Sequence, residues 1–199
     1  MSALVDRAIE EAGLAPLLDA RRAGEGALAH AARLRTADLL ALGALADRVR
    51  RDEVGDEVCI YTRATDDAVG GDVQADDTVA GAGKGPGPIV LPPEGQTLTG
   101  LELLREVAIA RVTGPRGARV RVDWTRMGLE LAQVALGFGA NELEGRIANK
   151  RGLPMAEGEK LGVLGKASRL EDADVVKRKE LEGFVRRAGR TPRFAEEAP

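Results

Sequence analysis

The chain has very little of the residue types that redox, metal and disulfide chemistry require. Its 199 residues include one cysteine, one histidine and one tryptophan. One cysteine cannot form an internal disulfide, and one histidine without cysteine partners cannot build a zinc site. Aromatic residues make up 3% of the chain. The core must therefore consist of Leu, Val and Ala, and we expect it to be thin for the length of the chain.

A charge excess and a long apolar run are also missing. The chain carries 29 basic and 32 acidic residues, a net charge of −3. A dedicated nucleic-acid binder usually has a strong basic excess, so we expect no nucleic-acid partner. No apolar run approaches the ~20 residues that cross a membrane, and residues 1–11 lack the apolar region of a signal peptide. These features predict a cytoplasmic protein without a membrane partner.

What the chain does contain is an alternation of strand and helix patterns. Alternation of this kind predicts right-handed crossovers, and hence an α/β fold with a parallel sheet of about four strands and flanking helices. Strands are predicted at 58–62, 88–91, 118–124 and 143–147. Helices are predicted to begin after Thr36 and after Thr97 or Thr99, and to span 129–138 and 170–188.

Residues 64–86 interrupt this alternation. They are rich in Asp and Gly and hold almost no large apolar side chain. Such a stretch cannot bury enough surface to offset the entropy lost on ordering, so we predict a flexible loop. Its aspartates lack EF-hand spacing, and the segment around Lys84 does not match a phosphate-binding loop.

Several segments resemble a known family. The resemblance covers about half of the chain and includes a tryptophan and a glycine, here Trp124 and Gly128, after one strand. The similar segments are 36–51, 55–61, 88–92, 99–105, 108–111, 120–128, 131–141, 143–145 and 188–192. They resemble the radical S-adenosylmethionine enzymes of futalosine-dependent menaquinone synthesis, aminofutalosine synthase and dehypoxanthine futalosine cyclase, which are related to the deazaflavin-forming FO synthase.

The resemblance implies a shortened barrel. The family places its cluster-binding Cys-x3-Cys-x2-Cys directly after the first strand, where this chain has residues 64–86 and no cysteine. The middle strands are also missing, so we predict one contracted, partial (βα) barrel over residues 1–199. A cluster that activates S-adenosylmethionine needs three thiolates and one open iron site. We therefore predict no metal, no cofactor and no autonomous radical activity, with Cys59 as a small buried residue of a strand.

The candidate ligand site surrounds Trp124, which lies at the C-terminal end of a predicted strand. Ligands of parallel α/β folds gather at such ends. The resemblance implies that the equivalent tryptophan lines the substrate cavity. The alternative is that Trp124 only fills the core, because aromatic residues are scarce. The ligand-binding candidates are Trp124, Asp123, Arg126, Met127, Asn141 and Glu142.

Three functional hypotheses follow. The first is a non-catalytic or degenerate relative that binds a futalosine-like or chorismate-derived molecule, or regulates a full-length paralogue. The second is a subunit of a split enzyme, or a cluster-free enzyme of the same pathway, with Asp123, Glu142 and Glu144 as acid–base groups. The third is a decayed fragment or a scaffold. Four strands cannot close a barrel, and open sheet edges need cover, so we also expect self-association or a partner protein.

Overall fold

The structure of the protein is a computed structural model that describes residues 2–24, 30–62, 88–93, 95–148 and 175–195. Strands and helices alternate along most of the described chain. In chain order the elements are α1 (Ser2–Glu11), α2 (Ala15–Arg22), α3 (Ala31–Thr36), α4 (Leu39–Val54), β1 (Glu57–Thr62), β2 (Ile89–Leu91), α5 (Gly100–Thr113), β3 (Val120–Asp123), α6 (Trp124–Met127), α7 (Leu129–Leu136), β4 (Glu142–Ala148), β5 (Val175–Lys177), α8 (Arg178–Arg187) and β6 (Thr191–Phe194).

The strands form a parallel sheet in the order β2-β3-β4-β1-β6, and β5 pairs with β4 beyond that path. The predicted α/β fold with a partial, barrel-like parallel sheet is thus confirmed. Strand β4 pairs directly with β1, although the two lie far apart in the chain. Pairing of an early strand with a late one is how a closed barrel joins its ends. The described sheet therefore has the neighbours expected of a barrel that keeps its first and last strands.

The four predicted strands are all present, and two more appear near the C-terminal end. The helix predicted for 170–188 is shorter, because residues 175–177 form β5 and α8 begins at Arg178. Two adjacent valines, Val175 and Val176, favour a strand there. Strand β6 contains Pro192, which is tolerated because β6 pairs with one described neighbour, β1. The loop predicted for 64–86 lies outside the described residues.

Capping residues define the two long helices. Helix α4 begins two residues later than expected, because Asp38 rather than Thr36 is its N-cap and accepts a hydrogen bond from the Ala41 amide at 2.9 Å. Thr36 instead ends α3. Thr99 caps α5, as one of the two predicted alternatives, and forms a capping box with Glu102. Helices α4 and α5 pack against each other and against one face of the sheet.

The core is built from Leu, Val and Ala, as the composition requires. Its two buried aromatic residues are Trp124 and Phe138. The Phe138 ring lies on Gly43 of α4 so closely that a Cβ there would fall within 3.0 Å of three ring atoms. The small residues therefore let helix and ring approach closely, which partly compensates for the shortage of large side chains. None of the helices in the described part of the chain is long and apolar enough to cross a membrane.

A buried ion pair fastens the N-terminal helices to the rest of the fold. The guanidinium of Arg21 on α2 donates to Glu53 on α4 at 2.6 and 3.0 Å. It also donates to the carbonyl oxygens of Val112, Gly114 and Pro115, where α5 turns toward β3. Burial alone would raise the pKa of Glu53, but the hydrogen bonds from Arg21 and from the Gly117 amide outweigh burial and lower that pKa.

Candidate functional site

Charged and polar side chains occupy the sheet face that is turned away from the apolar core. In β1, β3 and β4 the residues of the core face, such as Ile60, Val122 and Leu143, are fully buried. Because side chains alternate along a strand, the residues between them point to the other face. The register places those residues side by side on adjacent strands. We call this set the charged face; it comprises Cys59, Tyr61, Arg121, Glu142 and Glu144.

Arg121 is the centre of the charged face. Its Nε donates to Glu142 Oε2 at 2.9 Å, and its Nη1 donates to Glu144 Oε2 at 3.2 Å. Its guanidinium carbon lies 3.9 Å from the centroid of the Tyr61 ring, which is a cation–π geometry. The guanidinium of Arg121 on β3 thus contacts side chains of β4 and β1, and it holds two carboxylates of β4 on the same side of the sheet.

The Tyr61 hydroxyl completes the network. It donates to Glu142 Oε1 at 3.2 Å. Burial, a hydrogen bond with Cys59 and the negative charge of Glu142 together raise the pKa of Tyr61 to about 12. Tyr61 is therefore a neutral hydrogen-bond donor at every physiological pH, because its hydroxyl would need to lose a proton next to a carboxylate to ionise.

The carboxylate of Glu142 is buried to an unusual degree for an ionised group. Its side chain is 2% exposed, and it lies within 3.8 Å of Arg119 in addition to its bonds from Arg121 and Tyr61. Desolvating such a charge costs several kcal/mol, roughly, and ion pairing seldom returns more than that cost. Apolar residues at these positions would avoid this desolvation cost, and such residues fill the layers inside most barrels. The charged face therefore contributes less to stability than an apolar layer of similar volume would.

Four of the six predicted ligand residues lie at the C-terminal edge of β3, where they pack or cap. Asp123 is buried; its Oδ1 accepts hydrogen bonds from the Thr125 amide at 2.9 Å and hydroxyl at 2.6 Å. Arg126 donates to the carbonyl oxygens that follow β2, at 2.9 and 3.2 Å. Met127 is half-buried against the core. These residues shape the edge of the sheet above the charged face.

Trp124 packs into the core beside Gly145 of β4. Its side chain is 2% exposed, and the indole lies where a Cβ on Gly145 would be. Its Nε1 is buried and has no hydrogen-bond partner within the described residues. A buried N–H without an acceptor is uncommon and costs about 1–3 kcal/mol. The contact with Gly145 agrees with the packing alternative, and a ligand contact of Trp124 stays a prediction.

Asn141 lies away from the other candidates, at the N-terminal end of β4. Its Oδ1 accepts hydrogen bonds from Arg111 Nη2 at 2.5 Å and from the Val120 amide at 2.9 Å. Burial lowers the pKa of that arginine to about 10, still well above neutrality. Asn141 therefore anchors a buried cation at the end of the sheet opposite to Trp124. Glu142, the next residue, points to the charged face. Asn141 and Glu142, although adjacent in the sequence, therefore do not contribute to the same surface.

Sequence reasoning missed Tyr61 and Arg121 as site residues. The signal was present in β3, where Arg119, Arg121 and Asp123 alternate with valines. Charged residues at every second position normally indicate a solvated face. What the pattern cannot show is that β4 pairs with β3, that β1 pairs with β4, and that these two strands cover the arginine with acidic and aromatic side chains.

The residues present do not fit an iron–sulfur cluster that activates S-adenosylmethionine. The lone thiol, that of Cys59, is buried in β1. Such a cluster needs three thiolates and a free iron corner. Across the described ranges, no three or more His, Cys, Asp or Glu side chains come together in a way that could hold a metal ion.

The fold and the charged face define a parallel α/β protein with an ionic network on one side of its sheet. The chain is 34% identical over 95 residues to 5-amino-6-(D-ribitylamino)uracil--L-tyrosine 4-hydroxyphenyl transferase 2 of Methanosarcina barkeri. The similarity covers 47% of this chain and 22% of that relative, so the chain spans about a fifth of the relative's length. No protein-family model matches the chain. This partial similarity supports a relationship to a radical S-adenosylmethionine-type enzyme, and it is not specific to the futalosine branch.

Proposed function

We propose that this protein is a cluster-free relative of the radical S-adenosylmethionine enzymes that binds a polyhydroxylated heterocyclic molecule on its charged face. The finer form of the proposal keeps the expectation drawn from the sequence, a non-catalytic or regulatory role linked to futalosine-like nucleosides. The relative's name adds a second ligand of the same chemistry, 5-amino-6-(D-ribitylamino)uracil. Both kinds of molecule combine a planar heterocycle with several sugar or sugar-alcohol hydroxyl groups.

The observation that supports this proposal most is the pair of carboxylates on one guanidinium. Glu142 and Glu144 both bind Arg121, and their side chains are 2% and 15% exposed. A carboxylate has about four acceptor positions, so Glu142 has capacity beyond its hydrogen bonds from Arg121 and Tyr61. Hydroxyl groups of a ribose or ribityl chain are suitable donors, because a charged acceptor makes the stronger kind of hydrogen bond. The ring of Tyr61 offers an apolar surface in the same layer.

The thiol count, rather than the site, supports the cluster-free part of the proposal. The 199 residues include one cysteine, and a cluster that activates S-adenosylmethionine requires three thiolates. In this proposal the site residues act by binding: Glu142 and Glu144 accept hydrogen bonds, Arg121 holds them in place, and the Tyr61 hydroxyl donates to Glu142. Nothing in this arrangement needs a proton to be transferred.

Calorimetric titration tests the binding proposal. We expect saturable heat with 5-amino-6-(D-ribitylamino)uracil or with futalosine, and none with the uracil base alone. Glu144→Gln removes a charge at constant size, and losing hydrogen bonds to a charged acceptor costs about 1.5–3 kcal/mol, or roughly 10–100-fold in Kd. Glu130→Gln on α7, an exposed position outside the charged face, is the matched control. Absence of heat with every one of these molecules would refute the proposal.

Anaerobic iron–sulfur reconstitution tests the cluster-free part separately. We expect a colourless protein that does not cleave S-adenosylmethionine, with or without a reductant. A brown protein with about four irons per chain and cleavage activity would overturn this part. The binding result would be unaffected, so the two parts of the proposal can fail independently.

A second candidate function is a subunit of a split enzyme. It is favoured by the sheet, whose end strands β2 and β6 each have a single neighbour among the described strands. Unpaired edges of this kind invite pairing with another chain. Size-exclusion chromatography with light scattering, with and without a full-length paralogue, tests it. A mixed complex with turnover that neither component shows alone would favour the subunit over the binding protein.

A further inference from the structure

A cavity of about 530 Å³ lies on the other side of the sheet from the charged face, between α3, α5 and the segment that joins β2 to α5. Its apolar lining includes Leu91, which belongs to the core, and Leu98, which packs against the core. Its charged lining comes from α3 and α5. Pockets with an apolar floor and a few convergent polar groups are typical of small-molecule sites.

Two of the charged residues neutralise each other. Arg35 on α3 donates to Glu106 on α5 at 2.5 and 3.5 Å. This pair joins the two helices at the cavity and leaves neither charge available. The chemistry of the cavity therefore depends on the other charged pair, Glu102 and Arg105.

Arg105 is held in place with donors to spare. Its Nη1 donates to the carbonyl oxygens of Leu34 and Ala37 at 3.2 and 2.8 Å, which fixes the guanidinium between α3 and α5. Its Nε and Nη2 have no hydrogen-bond partner in the part of the chain that the structure describes. A guanidinium with two adjacent nitrogens free can bind a carboxylate through two parallel hydrogen bonds.

Glu102 supplies the opposite charge on the same face of α5, three residues earlier. Its Oε2 accepts from the Thr99 amide and hydroxyl, each at 2.8 Å. Those hydrogen bonds lower the pKa of Glu102, so it is ionised at neutral pH. Its Oε1 has no partner over the described ranges, and it forms no ion pair with Arg105. A cation near Glu102 and an anion near Arg105 would be separated by the distance between i and i+3 side chains, about 5–6 Å between Cβ atoms.

We propose that this cavity binds a free α-amino acid with an apolar side chain. The α-carboxylate would pair with Arg105, the α-ammonium with Glu102, and the side chain would contact Leu91 and Leu98. An α-amino acid carries its two charges on one carbon, so both fit within the span of this residue pair. The inference does not rest on the charged face or on the proposed function, because none of its residues belongs to that set.

Calorimetry with three probes separates the contributions. We expect L-phenylalanine to bind, and both N-acetyl-L-phenylalanine and phenethylamine to bind at least ten times more weakly, because each lacks one of the two charges. Equal affinity for L-phenylalanine and phenethylamine would overturn the role of Arg105. Equal affinity for L-phenylalanine and its N-acetyl derivative would overturn the role of Glu102. No heat with L-phenylalanine would overturn the proposal.

Two variants locate the binding. Glu102→Gln keeps the hydrogen-bond acceptor of the helix cap and removes the charge, so we expect at least a tenfold loss of affinity with little loss of stability. Leu98→Trp fills the cavity and should abolish binding. Glu11→Gln, an exposed residue of α1, is the control for the charge change. L-phenylalanine that bound Leu98→Trp with unchanged affinity would be bound elsewhere, which would refute the assignment.

Discussion

The contact between Trp124 and Gly145 can be tested by adding a single methyl group. In Gly145→Ala the new Cβ would lie within 2.6 Å of three indole carbons, Cε2, Cδ2 and Cζ2. Cβ contacts under 3.0 Å are essentially never observed, so either the ring or strand β4 must move. The glycine is needed here for close approach, because its backbone does not have a positive φ.

The expected cost is that of overpacking a buried position. Such substitutions typically cost about 1–3 kcal/mol, and three simultaneous contacts with a ring that is 2% exposed favour the upper end. For a chain of this size, about 3 kcal/mol corresponds to a fall in Tm of roughly 6–12 °C. Trp124 is the sole tryptophan, so its fluorescence reports on this contact alone. We expect Gly145→Ala to shift the emission to longer wavelength as the indole becomes more exposed.

A second glycine provides the control. Gly100 begins α5, and a Cβ there would meet Leu131 at an ordinary 3.5 Å. Gly100→Ala should therefore be neutral, or stabilising by up to about 1 kcal/mol, with unchanged emission. If Gly145→Ala had the Tm and emission of Gly100→Ala, the indole would not lie on Gly145, and the packing described for this edge of the sheet would be wrong.

Three further predictions concern charged groups. Absorbance titration of Tyr61, the sole tyrosine, should show a midpoint near 12, and Glu142→Gln should move it toward 10; a wild-type midpoint near 10 would exclude the network. Because folding raises the pKa of Tyr61, the contribution of this residue to the free energy of unfolding is complete below about pH 10 and is lost as pH rises toward 12. The pKa of Glu53 is lowered by folding, so its contribution is present above the unfolded pKa and is lost as pH falls through the folded pKa. In urea denaturation, the free energy of unfolding of Glu53→Gln should accordingly fall less at acid pH than that of wild type. An identical fall would mean that Arg21 does not lower the pKa of Glu53. Arg111→Met leaves two backbone carbonyls and one amide oxygen without their donor, and should cost at least about 3 kcal/mol in the same assay; a loss under 1 kcal/mol would contradict the buried hydrogen bonds.

Much of the fold was predictable because its signals are local. The valines of β3 and the Thr99 cap of α5 lie next to the residues that they organise, so periodicity and capping rules identify them. The six-residue β1 was predicted for the same reason. Strands β5 and β6 were not predicted, because three or four residues carry little propensity of their own. They are strands because β4 and β1 supply their hydrogen-bond partners.

The candidate site was predictable only in part. Asp123, Trp124, Arg126 and Met127 were expected together, and they do lie together, because they are consecutive or nearly so. Their grouping with Asn141 depended on the position of β4, and β4 carries Asn141 to the other end of the sheet. No sequence pattern predicts the cavity beside α5, because its lining comes from three separate segments of the chain.

The sequence by itself determined the order of strands and helices, the composition of the core and the number of thiols, because each of these depends on residue type and local spacing. The tertiary structure alone decided which strands are neighbours. Parallel pairing of β3, β4 and β1 brings Arg121, Glu142 and Tyr61 into contact across long stretches of chain. Solvated charges in an isolated strand thereby become a buried network, because hydrogen bonding between strands fixes the register that a single strand cannot encode.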